Sequence, residues 1–179
     1  MASSAVGTQP AMRAPQRSLA ALRVLVGLWF AKSLFSKVTI VLAWGFVPLP
    51  AANARWIAIM PKLLGKYAAD NPIGWYRDFL LDTVIPHSHI FAHLTALGEV
   101  AVGISLTLGV LTLLGACFGA MQVIFYGLAV QHMSSGQQGF HVMLLGMMIA
   151  FVFARAGRAY GLDAWLIRRY PHGPWGRLG

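Results

Sequence analysis

The chain has 179 residues, of which 58% are hydrophobic and only 11% charged, with a formal net charge of +9. A water-soluble domain is about 25% charged, so a soluble fold of this length is excluded and one lipid-solvated domain is expected. The excess of base does not describe a nucleic-acid surface. Acids number five, and many bases gather at the two ends: Arg13, Arg17 and Arg23 at one, Arg155, Arg158, Arg168, Arg169 and Arg177 at the other. Bases flanking apolar spans follow the positive-inside bias, and no zinc-finger spacing or basic–aromatic stripe is present. The single cysteine, Cys117, lies in an apolar run and has no intrachain partner for a disulfide.

Residues 1–17, rich in Ala, Ser, Pro and Gln, read as a flexible tail. The apolar stretch that follows, about Leu19 to Val47, is far longer than a signal-peptide core and ends in no clear cleavage site, so a retained span is expected. A span needs about 20 residues. This stretch exceeds that and should tilt, extend past the bilayer or break near Gly45, ahead of Pro48 and Pro50. Lys32, Ser33, Ser36 and Lys37 give it a polar stripe that can turn inward.

Residues 49–86 mix charges with Trp56, Tyr67, Trp75, Tyr76 and several prolines. They are too polar to span and suit short amphipathic helices lying at the interface. A second span is predicted from about His89 to Leu108, a tight uncharged connection over Gly109–Leu114, and a third span from about Leu114 to Val130. The polar turn "QHMSSGQQG" makes spans three and four antiparallel neighbours, the fourth running from about Phe140 to Phe153. "GRAYGLDAWLIRRY" then reads as an interfacial helix. The expected architecture is all-α: a polytopic membrane four-helix bundle over residues 18–169, with interfacial helices between spans 1 and 2 and after span 4, and a second tail at 170–179. Four spans put both ends on one side, and the bases at both ends predict that this side is cytoplasmic. Arg55, Lys62, Lys66 and Arg77 in the outer segment weaken that bias without reversing it.

Glu99 is the only glutamate in the chain and sits about ten residues into the second span. An ionised carboxylate at that depth is costly unless paired, protonated or wet. Lys32 lies about thirteen residues into the antiparallel first span, so at 1.5 Å per residue both groups fall roughly 14–20 Å from the same boundary. Glu99 is therefore expected to face the bundle interior and pair with Lys32, with Lys37 as the alternative partner. A purely structural ion pair, or a neutral carboxyl bonded to a helix, is the competing reading.

His87, His89 and His93 open the second span, His132 ends the third and His141 begins the fourth, so all five are expected near one face. Such residues can hydrogen-bond a quinone carbonyl, ligate haem or bind metal. No HExxH or Cys/His pattern is present, and no metal or haem is predicted. "GACFG" is a GxxxG pattern, expected to serve helix packing, as are Met143, Met147 and Met148.

These residues resemble the DoxX/DoxD membrane family, which includes the membrane subunit of thiosulfate:quinone oxidoreductase. Arg23, Gly27, Phe30 and Lys37 match the pattern of its first span, and Glu99, Gly103, Gly109 and Thr112 match "E-x3-G-x5-G-x2-T" of its second. "NPIGWYRDFLLDTVIPHSHIFAHL" is similar to its preceding loop and "GRAYGLDAWL" to its closing stretch, over roughly residues 20–168. Leu34 and Leu113 depart from the family, which often has Gly and Arg there. The resemblance implies a quinone-linked redox subunit of a bacterial or archaeal cytoplasmic (inner) membrane, working on thiosulfate or a related sulfur compound. Glu99, Lys37 and Lys32 are then the candidate catalytic groups, and His89, His93, His132, His141 and Arg23 the candidate quinone contacts. No cofactor fingerprint is visible, so a partner subunit would deliver electrons, docking on the outer segment 49–86. A non-enzymatic anchor or assembly scaffold, held through Trp75, Tyr76 and Arg77, is the alternative. A small transporter is disfavoured by the lack of broken, repeated half-helices.

Overall fold

The computed structural model describes residues 13–173. Within them, four helices are long and apolar enough to cross a membrane: Pro15–Ser36, Ser88–Leu108, Thr112–Val130 and Ser135–Phe153. The expected tails fall largely outside the described residues. The first helix, however, already runs from Arg13, so residues 13–17 are helical and not tail.

Helix α1 (Arg13–Ala31) breaks at Lys32 and resumes as a single turn, α2 (Ser33–Ser36). The apolar stretch does not continue as a span to Val47. It becomes an antiparallel hairpin, β1 (Val38–Ala43) and β2 (Val47–Ala52), in register Val38↔Ala52 through Ala43↔Val47. Val38, Thr39, Ile40 and Val41 are β-branched, which favours strand over helix. The reversal is made by Trp44 at φ 52° and Gly45 at φ 81°. The expected break near Gly45 is thus a strand turn, not a kink in a helix. Asn53 anchors the hairpin's root: its N–H donates to the Lys37 carbonyl at 2.8 Å and its Nδ2 to the Ser36 carbonyl at 3.0 Å. Its Oδ1 also caps the next helix, accepting from Trp56 N at 2.8 Å.

That helix, α3 (Ala54–Ala69), is followed by α4 (Gly74–Phe79) and a π-helical turn, Leu80–Val84. The segment does not simply lie at an interface. Met60, Ala68, Tyr76, Leu80 and Val84 bury themselves with Ala92, Ala96, Ala129 and Val130 in a second core at the end of the bundle. Two polar bolts hold it there. Tyr76 OH donates to the Phe125 carbonyl at 2.6 Å, and Asn71 Nδ2 to the Leu128 carbonyl at 2.9 Å.

The main core joins α1 to α5 (Ser88–Leu108), α6 (Thr112–Val130) and α7 (Ser135–Phe153) through Val26, Phe30, Val102, Leu106, Val123 and Met148. Along the bundle α1 packs on α5, α5 on α6 and α6 on α7. The α1–α5 approach is close because Gly103 lies against the backbone of Ala31, where any Cβ would collide. In the GxxxG pair, Gly115 takes Ser105 of α5 and Gly119 takes Met148 of α7, so the pattern serves packing within the bundle. Helix α7 starts five residues before the predicted Phe140, because Ser134 caps it by accepting from Gln137 N at 3.2 Å. Helix α8 (Leu162–Arg169) ends the described chain, as the basic closing stretch predicts.

Candidate functional site

Glu99 points inward from the middle of α5 and is 5% exposed. Lys37 Nζ lies 2.8 Å from each of its carboxylate oxygens. Tyr126 OH donates to Oε1 at 2.7 Å, and Ser33 Oγ donates to Oε2. The carboxylate therefore accepts from an ammonium and two hydroxyls, supplied by α2 with its C-terminal cap and by α6. This set offsets the cost of burying a carboxylate among helices.

The expected partner, Lys32, is not the one found. Ser33 and Lys37 are four residues apart and share the face turned to α5, whereas Lys32 sits on the flank. Lys32 is exposed, and its Nζ rests 3.4 Å from the centroid of the Trp29 ring. Lys37 lies at the mouth of the hairpin and its long side chain reaches back to Glu99 depth. The Trp56 ring covers its Nζ at 4.2 Å, and Trp56 Nε1 is fixed by donation to Thr95 Oγ1 at 3.2 Å.

These groups form one wall of a cavity of about 400 Å³, within the range of small-molecule sites. Its other walls are largely apolar: Phe30 from α1, Met60 and Leu64 from α3, Val123 from α6, Phe140 and Leu144 from α7. Its exposed rim carries Trp29, Lys32 and Ser36 on one side and Gln137 on the other. Helices α1 and α7 have no extended backbone contact, and the Trp29 and Phe140 rings meet at 5.5 Å across the gap. The exposed rim residues thus belong to the first and last spans.

Of the histidines, His141 alone lines this cavity, its Nδ1 held 2.8 Å from the Gln137 carbonyl. His89 and His93 meet at 4.7 Å between ring centroids, tilted by 46°, outside the lining, and His132 also falls outside it. The sequence placed them together because they share a depth. Their directions around the helices differ. Among the described residues no three His, Cys, Asp or Glu side chains converge as a metal site.

Arg23 is at the opposite end of the bundle and does not reach the cavity. It is 1% exposed and donates through Nη1 to the Ala156 carbonyl at 2.6 Å and the Ala159 carbonyl at 3.2 Å. Beside it, the fully buried Asp163 accepts from Leu111 N at 2.8 Å and Thr112 N at 2.9 Å, capping the start of α6. Gly109, at φ 68°, leaves room for the guanidinium, which a Cβ there would strike.

Tyr126, Trp56 and Thr95 are the site residues that sequence reasoning missed. An isolated Tyr or Thr in an apolar span has no motif, and Trp56 looked interfacial. The family-like residues divide between the two polar clusters: Lys37 and Glu99 at one, Arg23, Gly109 and Thr112 at the other. No curated protein matches the chain, and no solved structure does. A family model described as "TQO small subunit DoxD" matches residues 19–173. The chain therefore belongs to the DoxD family of thiosulfate:quinone oxidoreductase small subunits.

Proposed function

We infer that this multi-pass membrane protein is the quinone-handling subunit of a sulfur-compound-oxidising complex, with the Glu99 cavity as its quinone site. One observation carries this: a carboxylate held by Lys37, Ser33 and Tyr126 forms the wall of a largely apolar cavity. The residues fit a quinone head, which needs an apolar slot with a few convergent donors. When bound, a quinone supplies a two-electron, two-proton acceptor. Lys37 Nζ and Tyr126 OH each hold a proton at the cavity wall, and Glu99 orients both by accepting from them. His141 adds a titratable group on the far wall. The apolar lining excludes water and strengthens each of these interactions.

Electrons reach the cavity from a partner subunit carried on the outer segment 49–86. Trp75 projects from it, 65% exposed, whereas Tyr76 is an internal bolt and offers a partner nothing. The basic residues near both ends support a cytoplasmic side for the termini, in the inner membrane of a bacterium or archaeon. The test is thiosulfate-driven reduction of decylubiquinone by the purified complex. Glu99→Gln is expected to lower turnover by about 10²-fold while helix content is kept. Full turnover in that variant, with quinone still co-purifying, would overturn the assignment.

A further inference from the structure

The hairpin β1–β2 has two unlike edges. The Asn53 N–H to Lys37 carbonyl bond makes 37/53 a hydrogen-bonded pair. By the alternation of antiparallel ladders, Val38, Ile40 and Leu42 turn their backbone groups away from β2. Opposite Ile40 and Leu42 stand Pro50 and Pro48, which have no N–H to turn outward. The β2 edge is therefore blunted, and β2 also leans on α5. The β1 edge keeps its donors, and among the described residues no other element hydrogen-bonds the N–H of Ile40 or Leu42.

The side chains around that edge are apolar and bare. Ile40 is 61% exposed, Leu42 62%, Trp44 83% and Phe46 75%. No charged residue occurs between Lys37 and Arg55. Natural sheets guard open edges with charge, proline or a covering element. Here one edge has two prolines and the other has none of these. Acyl chains do not complete the β1 edge, because they accept no hydrogen bond. An extended peptide backbone does.

We propose that the β1 edge receives an extended, apolar strand of the partner subunit, added by backbone hydrogen bonds directly beside Lys37. This deepens, and rests on, the reading of the chain as one subunit of a redox complex. An unlike chain is the occupant because the family is that of a small subunit. The position suits it: β1 begins at the residue after Lys37, whose ammonium holds Glu99. Specificity comes from backbone pairing plus alternate apolar contacts, as in other strand additions.

The test uses the intact complex in its own membranes, with a photo-cross-linking phenylalanine analogue at Leu42. An adduct to one extended segment of an unlike subunit is expected. Ile40→Pro removes an outward N–H without touching the β1–β2 bonds, and should lower co-purified partner by about tenfold; Ile40→Val should leave it unchanged. An adduct only to lipid, an adduct to a second copy, no adduct, or full partner retention in Ile40→Pro each overturns the proposal. The wild-type adduct decides the matter if Ile40→Pro does not fold. Normal quinone reduction without an adduct rejects the docking alone. An adduct in a wild-type complex that reduces no quinone rejects the redox reading alone.

Discussion

The bundle buries charge in two places, and it does so in two different ways. At one, Arg23 and Asp163 are sealed by backbone carbonyls, amides and glycines, with no cavity of the kind found beside Glu99. At the other, Glu99 accepts from Lys37, Ser33 and Tyr126 and faces a largely apolar cavity of about 400 Å³. Hydrogen bonding alone does not separate the two clusters. Access does: the first cluster is closed on every side by its own chain, and the second has a wall that a ligand can reach.

The strongest way to break this comparison is Asp163→Ala. It strands two amides at the start of α6 and removes the acid beside Arg23, at a cost of about 3–5 kcal/mol. Thermal unfolding in detergent should show that loss, while turnover per folded molecule stays normal. A turnover defect in the folded fraction would erase the distinction. Tyr126→Phe should do the reverse. It removes one hydroxyl donor from a carboxylate, worth about 1.5–3 kcal/mol, and should show in quinone reduction more than in melting temperature.

Tyr76→Phe sharpens the boundary of the cavity, since Tyr76 only bolts segment 49–86 down. Burial pushes its phenol from 10.0 up to about 12. The folded state favours the protonated form, so this contribution is complete below pH 10 and is lost as pH climbs through about 12. Alkaline unfolding followed by tyrosine absorbance should show that dependence in the wild type and lose it in the variant, with a cost near neutral pH of about 1 kcal/mol. The smallest effect belongs to Lys32→Ala. Its ammonium sits on an exposed ring at the rim, worth about 0.5–1 kcal/mol. A loss of turnover as deep as that expected for Glu99→Gln would move Lys32 into the site.

The spans were legible because length and apolarity fix them, and Glu99 pointed inward because lipid tolerates no other arrangement. The hairpin was not legible. Its strands are apolar on both faces, so "VTIVLAWGFVPLPAA" carries no alternation and blends with the span before it. The prolines at every second position, 48 and 50, were the available clue. The choice of Lys32 failed for a related reason. Depth was estimated along a straight helix, and direction around it was not, yet the break at Lys32 and the i, i+4 relation of Ser33 and Lys37 decide which amine meets the acid. Glycine and arginine positions resembling the family marked what must be packed, without saying which cluster was open.

The cap on α6 carries a consequence for how the protein is made. Leu111 and Thr112 receive their acceptor from a residue 52 and 51 positions further along the chain. While the ribosome is still synthesising the last span, the corner between the second and third spans has no carboxylate to close it. A chain cut short before Asp163 leaves the Leu111 and Thr112 amides without that acceptor.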